Sequence, residues 1–291
     1  MHKIVRKEIL APKIVLFEIA APLVAAKAKP GHFVIIRAFE WSERIPLTIA
    51  ESNPATGTVT IIIQEVGQGT KELCAMQAGD GILDVVGPLG TPAEIKQVGT
   101  MVFIGGGVGV PAIYPEVVEA KRLGNKVITI IGAQTKNLLI MGKELEAISD
   151  KVLYSTNDGS FGIKGFVTDV LQQLIDTKTE INEIIAIGPL QMMKAVSDLT
   201  KPYGIKTIVS LNAIMVDGTG MCGGCRVSIG GKNKFSCVDG PEFDGHQVDF
   251  DELLRRTKQY TNMERTAVDR FEQVGQGNCQ LAPAVKQDKN L

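Results

Sequence analysis

The spacing of apolar positions changes character twice along the chain. Up to about residue 96, short runs rich in Val, Ile, Thr and Phe recur between Gly and Pro residues: IVRKEILA from Ile4, IVLFEIAA from Ile14, HFVIIRAF from His32, IPLTIAES from Ile45 and TVTIIIQEV from Thr58. Half-buried strands at near-regular spacing predict an antiparallel β-barrel. One short helix, from near Gly69 through KELCAMQ, is expected to interrupt it. From residue 97 the grammar becomes strand then helix. TMVFIGGGVGVP, NKVITIIGAQT, KVLYSTND and EIIAIGP read as buried strands, and PAIYPEVVEAKRLG, KELEAISD and GFVTDVLQQLID have helical spacing. That alternation predicts a doubly wound parallel sheet, closing near residue 205.

The remaining segment, 206–291, follows neither pattern. IKTIVSLNAIMVDGTG leads into a cysteine-rich stretch, and a charged helical segment is expected from Asp249 to about Val274. The last residues, from Gln276, are polar and expected to be poorly ordered. The chain therefore reads as three units, 1–96, 97–205 and 206–291, a β-barrel plus α/β architecture with a small C-terminal domain and helical extension.

Composition narrows the partners. The 291 residues carry a net charge of -1, with Lys and Arg scattered rather than gathered on a stripe, which argues against nucleic acid. No apolar run approaches the ~18 residues of a membrane span, and the N-terminus lacks a signal-peptide core, so a soluble cytoplasmic protein is expected. Five cysteines, three of them crowded together, suit metal ligation better than a disulfide framework. Cys74 and Cys279 are read as structurally incidental. His2, His32 and His246 are dispersed, and no Ser/His/Asp or Cys/His nucleophile arrangement is evident.

Two glycine-rich features invite anions. GGGVGVP sits where a strand meets a helix, with Gly106, Gly107, Val108 and Gly109 in the turn and Pro111 suited to the first helical turn. Val110 stands where the last glycine of a G-x-G-x-x-G fingerprint would be, so close packing without a ligand is the competing reading. Asp158 and Gly159 follow a second buried strand, and Gly188 and Pro189 a third. Three such loops would line the carboxyl edge of a parallel sheet, where ligands bind. Asp158 favours a free ribose diol, hence NAD(H) over NADP(H), against its reading as a plain turn residue. In VGQGTKEL, the pair Gly67 and Gly69 with Thr70 marks a helix start that is either an anion site or an ordinary cap.

Cys222, Cys225 and Cys237 have the spacing of three plant-type 2Fe-2S ligands, and five residues before Cys222 stands Asp217, giving D-x4-C-x2-C-x11-C. Zinc is the alternative, yet a zinc ribbon supplies a second close pair and Cys237 stands alone. The glycines between Asp217 and Cys225 suit a loop that aims N–H groups at bridging sulfides. Asp217 is either the fourth ligand, a carboxylate in place of a thiolate, or a turn residue.

Barrel, nucleotide-binding sheet and C-terminal cluster loop, in that order, resemble the ferredoxin-reductase-like electron-transfer subunits, including that of dihydroorotate dehydrogenase. The resemblance covers about residues 1–245. It implies FAD held by the barrel at Arg44, Pro46, Leu47, Thr48 and Ile63. The family motif R-x-Y-[ST] becomes Arg44-Ile45-Pro46-Leu47-Thr48, with the hydroxyl kept, Tyr replaced by Leu47 and Arg44 one place further away. It implies hydride exchange between NAD(H) and FAD, and single electrons passed through the 2Fe-2S cluster. The S-E-R-I-P-L-T-I-A segment, Asp217 and the helical extension point within the family to the bifurcating transhydrogenases. Their heterodimer partner is a larger FAD and 4Fe-4S subunit coupling ferredoxin and NADP(H). The alternatives are a dihydroorotate dehydrogenase-like complex and a zinc-loop binding module.

Overall fold

The computed structural model of the chain describes residues 1–277, so Cys279 and most of the polar tail lie outside the described residues. β1 (His2–Ala11) and β2 (Ile14–Ala20) form a hairpin, followed by a short helix α1 (Pro22–Ala25). Next come β3 (Phe33–Arg37), β4 (Ile45–Thr48), β5 (Glu51–Asn53) and β6 (Thr58–Gln64), then α2 (Gln68–Ala75), β7 (Gly81–Ile82) and β8 (Asp84–Leu89). They make two antiparallel sheets, β5-β6-β2-β1-β7 and β4-β3-β8. The chain passes between them at two corners. At Ile49–Ala50, the Ile49 N–H donates to the His32 carbonyl and the Ala50 N–H to the Thr60 carbonyl, while Leu83 N–H donates to Ala38. Alternate residues point inward, and Phe17, Ile36, Ile61, Ile63 and Leu73 fill the barrel core.

The second unit runs β9 (Thr100–Gly106), α3 (Val110–Arg122), β10 (Lys126–Ala133), α4 (Gly142–Glu146), β11 (Lys151–Thr156), β12 (Ile163–Lys164), α5 (Val167–Asp176), β13 (Glu183–Ile187) and α6 (Leu190–Thr200). In α5, apolar residues at helical spacing, Val167, Val170, Leu171 and Leu174, are buried against the sheet. The sheet does not close at residue 205. β14 (Lys206–Ser210) adds a parallel strand beside β13. After β15 (Arg226–Ile229) and β16 (Lys232–Phe235), β17 (Glu242–Asp244) adds an antiparallel edge, giving the order β12-β11-β10-β9-β13-β14-β17. IKTIVS, read only as a lead into the cysteines, is a sheet strand because its apolar residues complete the hydrophobic face beside β13.

The expected C-terminal helix is two helices, α7 (Phe250–Thr257) and α8 (Thr261–Gly277), separated by a tight turn at Lys258–Tyr260. Asp249 caps α7 by accepting from the Glu252 N–H at 2.8 Å. No helix of the described residues is long and apolar enough to cross a membrane.

One buried polar contact stands out. Glu116 on α3 is fully buried, and among the described residues neither of its carboxylate oxygens has a donor; Glu242 on β17, its neighbour, has one oxygen in the same state. Burial, then the nearby Glu242, pushes the Glu116 carboxyl well above its usual range, and burial also raises Glu242. Two carboxyls side by side out of water hold at least one proton between them. The folded state thus keeps a proton that the unfolded state releases. The stability contributed is complete below the ordinary carboxylate pKa and declines as pH rises towards the raised folded value. Glu116→Gln, which cannot ionise and can donate to Glu242, is expected to stabilise the chain by roughly 1–3 kcal/mol at about pH 8 and to change little near pH 4. Calorimetric melting of both proteins across that range is the check. Parallel pH slopes would remove the shared-proton account.

Candidate functional site

The carboxyl ends of β9 and β13 lie side by side, with Gly105 opposite Ile187, and their loops meet there. The glycines at this edge serve different ends. A Cβ at Gly109 would lie 2.0 Å from the Ile187 carbonyl oxygen, one at Gly106 2.4 Å from Met192 Sδ, and one at Gly188 2.8 Å from Met192 Cε and 3.1 Å from the Gly106 backbone. At Gly109 the Ile187 backbone approaches too closely for a side chain, whereas at Gly106 and Gly188 the nearest obstacle is the flexible end of the Met192 side chain. Gly107 is different: it has φ +55 and nothing within 4 Å of where its Cβ would be. Its open side, on a turn whose N–H groups lead into α3, is the position in this loop that leaves room for a phosphate. Val110, the departure from the fingerprint, is buried and accommodated by Gly105, where a Cβ would meet Val110 Cγ2 at 2.8 Å. Val108 is partly buried beside the turn and Pro189 is exposed at the start of α6.

Asp158 and Gly159 lie two strands away, beyond β11, and both are exposed. Asp158 Oδ1 accepts from the Ser160 N–H at 2.9 Å and its hydroxyl at 2.6 Å, bonds that hold the carboxyl below its usual range. The turn reading of Asp158 is therefore satisfied, and its second oxygen still faces solvent. The Lys164 side chain, distant in the linear reading, passes Gly159 within about 3.0 Å of its Cβ position. Lys136 Nζ stands 5.5 Å over the Phe161 ring.

In the barrel, β4 pairs with β3 so that Thr48 faces Phe33, Leu47 faces Val34 and Pro46 faces Ile35. All of β4 is partly exposed and Arg44, just before it, is exposed. Ile63 is 1% exposed and its side chain belongs to the barrel core, so it contributes packing at this edge rather than a side chain to a ligand. The Thr70 hydroxyl accepts from the Val66 and Gly67 N–H groups at 2.9 and 3.0 Å and donates to the Gly67 carbonyl, capping α2. The cap leaves the N–H groups of Gln68, Gly69 and Thr70 without an intrahelical acceptor. Gly67 opens onto free space, whereas Gly69 is pressed against Ile45, a Cβ there lying 2.8 Å from Cδ1, which sets α2 directly beside β4.

The cluster loop presents its four candidate donors as two separate pairs. The Cys222 thiol donates to Asp217 Oδ1 at 3.2 Å, and Cys225 and Cys237 stand 3.1 Å apart between sulfurs. Cys225 and Cys237 are buried while Cys222 is exposed. Two pairs are what a two-iron cluster requires, each iron taking two protein ligands and sharing bridging sulfides with the other. Asp217 also accepts from the Thr219 hydroxyl and the Met221 N–H, and with the Cys222 thiol these hold its carboxyl down to about 2. Burial first, then the Cys225 sulfur, pushes the Cys237 thiol up to about 12, so in the metal-free chain it stays protonated, and cations would have to displace that proton. Gly218, Gly220 and Gly223 take φ of +76, +83 and +66, bending the loop around the donors. Gly218 leaves no room for a Cβ, which would lie 2.6 Å from Ile35 and 2.8 Å from Leu89 on the barrel.

A cleft of about 970 Å³ lies between the barrel, the segment that leads into the cluster loop, and α8. Arg37 and Ser42–Arg44 of the barrel form one wall, Ile214–Val216, which lead into Asp217, another, and Tyr260 with α8 the third. Its size falls in the range of cofactor sites. The sequence reading missed Arg37, Ile214–Val216 and α8, because only the fold carries the C-terminal helix back over the barrel. Cys74, as expected, is a core residue, its thiol pushed up to about 11 by burial. His32 accepts from the Lys29 N–H and His246 bonds Thr200, so both have structural tasks.

An antiparallel barrel, a parallel sheet with an open glycine turn and a paired Cys/Asp loop define a reductase of the ferredoxin-reductase type. Residues 212–249 match the iron-sulfur cluster binding domain of dihydroorotate dehydrogenase B. The chain is 47% identical over 271 residues to the dihydroorotate dehydrogenase B electron transfer subunit homolog of Thermotoga maritima, covering 93% of this chain and 95% of the relative. It is 33% identical to the dihydroorotate dehydrogenase B electron transfer subunit of Fusobacterium nucleatum, over 76% and 87% of the two chains. Among solved structures, that of NADH-dependent reduced ferredoxin-NADP oxidoreductase superposes with a TM-score of 0.89 at 46% identity, covering 94% of this chain and 98% of that one. Phthalate dioxygenase reductase, at 17% identity and TM-score 0.59 over 79% and 86%, shares the fold. The chain belongs to the dihydroorotate dehydrogenase B electron-transfer subunit family, and is an electron-transfer subunit of a flavin- and NAD-linked oxidoreductase.

Three outcomes follow from the geometry. Gly109→Ala is expected to prevent folding, since no backbone shift of a few tenths of an ångström relieves a contact with a carbonyl. Gly107→Ala should fold at a cost of about 1–2 kcal/mol and raise the KM for nicotinamide nucleotide several-fold, as checked by melting and steady-state assay. Asp217→Cys is expected to retain a cluster with altered optical and EPR spectra; unchanged spectra would mean that Asp217 is a turn residue only.

Proposed function

We propose that the chain is the small, NAD(H)-facing subunit of a flavin-based bifurcating transhydrogenase of the NADH-dependent reduced ferredoxin:NADP oxidoreductase type. A larger FAD and 4Fe-4S subunit would complete the heterodimer and couple ferredoxin with NADP(H). The observation that carries the reading is continuity: the backbone that walls the cleft at Ile214–Val216 runs directly into the paired donors beginning at Asp217. The similarity to the solved bifurcating oxidoreductase over nearly the whole of both chains supports it.

The residues suit the groups. The cleft with its arginines fits FAD, the paired donors fit a 2Fe-2S cluster, and the open side of Gly107 fits a dinucleotide phosphate. When bound, FAD would supply two-electron hydride chemistry with NADH and one-electron chemistry with the cluster. The chain's own residues bind and orient. Gly107 admits the nucleotide phosphate, Thr48 offers a hydroxyl along β4, and Asp158 keeps an oxygen free for a ribose diol. Cys225 and Cys237 sit out of water and would hold the cluster on its buried side, while Cys222 reaches the surface. A dihydroorotate dehydrogenase-like complex is the second reading, favoured by the match of residues 212–249.

Anaerobic titration of the purified chain with NADH, and separately with NADPH, tests the nucleotide path. NADH at stoichiometric amounts is expected to bleach flavin and iron-sulfur absorbance, with NADPH at least tenfold less effective. Preference for NADPH would assign the turn to Lys136 and Lys164 rather than to Asp158. A protein without chromophores after reconstitution would end the redox reading.

A further inference from the structure

We infer that α8 is the outer wall of the flavin site, and that Arg270 on it holds the FAD diphosphate opposite Arg44. The inference rests on the barrel binding FAD and adds where the ADP half is held.

α8 spans the cleft like a strap. Near its start, Arg256 of α7 donates to the Gly224 carbonyl of the cluster loop at 3.1 Å; further on, Glu272 pairs with Lys71 of α2. The helix thus runs from beside the cluster loop to the start of α2. Met263 is 69% exposed and Tyr260, just before α8, 43%, and both face the cleft with Met215 across from them. Arg37, Arg44 and Arg270 line the same space. Arg37 is engaged by Asp84 at 2.6 Å. Among the described residues the arginine ion pairs are those of Arg6, Arg37 and Arg122, so Arg44 and Arg270 keep their charge available on opposite walls.

The cleft also carries Glu43 and Glu264, so it is not simply basic. It has two guanidinium groups across a gap, carboxylates that can accept from ribose hydroxyls, and apolar side chains. A nucleotide diphosphate asks for that combination. Position selects the same occupant. Thr48 and Arg44 bracket β4, so a flavin laid along that strand sends its diphosphate to the Arg44 end. There the uncapped N–H groups of α2 also lie, held beside β4 by the contact of Gly69 with Ile45. Arg44 stands one residue further from the hydroxyl than in the family motif, and a second guanidinium from α8 offsets that displacement.

The test is flavin binding by the reconstituted full chain, followed by flavin fluorescence. Apoprotein of wild type, Arg270→Ala, Arg270→Lys and Arg265→Ala is titrated with FAD and with riboflavin, which lacks the diphosphate. Arg270→Ala is expected to weaken FAD about tenfold or more and leave riboflavin unchanged, with Arg270→Lys intermediate and Arg265→Ala, outside the cleft, like wild type. Equal FAD affinity in wild type and Arg270→Ala would overturn the inference, as would equal weakening of FAD and riboflavin, which would mean a loosened helix. Failure of wild type to bind FAD at all would instead overturn the flavin reading on which it rests.

Discussion

The burial of apolar surface across unit boundaries is what the rest of the structure depends on. Two of the three apolar clusters are shared. Ala11, Ile14, Ala50 and Ile62 of the barrel pack with Val110, Ile113 and Val117 of the nucleotide unit. Phe33 and Ile35 join Leu211, Ala213, Cys225 and Cys237 in another. Apolar burial of this kind contributes roughly 25 cal/mol per Å², and here the same area that stabilises the fold also fixes how the three units sit together. Electron transfer between separate cofactors needs fixed separations, and a shared core provides them without a hinge at either seam.

Glycine is the second means of positioning. Gly109 and Gly218 stand where two backbones or a backbone and a side chain must nearly touch, the first between β9 and β13, the second between the cluster loop and the barrel. Each trades the stability of a packed side chain for proximity. Gly107 and Gly67, by contrast, border open space. The distinction separates glycines that shape the fold from those that leave room for a ligand, and composition alone does not make it.

The cluster loop combines both means. Its buried pair, Cys225 and Cys237, belongs to the apolar core, whereas Asp217 and Cys222 face outward on glycine-bent backbone. The carboxylate is already ionised and the inner thiol is not. Binding of cations to these donors is therefore coupled to proton release from Cys237. The two C-terminal helices tie this loop, through Arg256 of α7, to the barrel edge, through Glu272 of α8 and Lys71.

Much was legible in the residues themselves. Alternating strands gave the barrel, strand-helix alternation gave the parallel sheet, and the D-x4-C-x2-C-x11-C spacing marked the candidate donors, because periodicity and loop spacing are local properties of a chain. Other features depended on contacts between distant segments. β14 and β17 extend the sheet past residue 205 because their apolar faces complete a neighbour, and Lys164 reaches Gly159 because a turn folds back. Ile63 became core and Thr70 a helix cap, while Arg270 met Arg44 across a cleft. Those outcomes lie in tertiary structure for one physical reason: side-chain burial and charge proximity are set by which surfaces meet, and 225 residues lie between Arg44 and Arg270 along the chain.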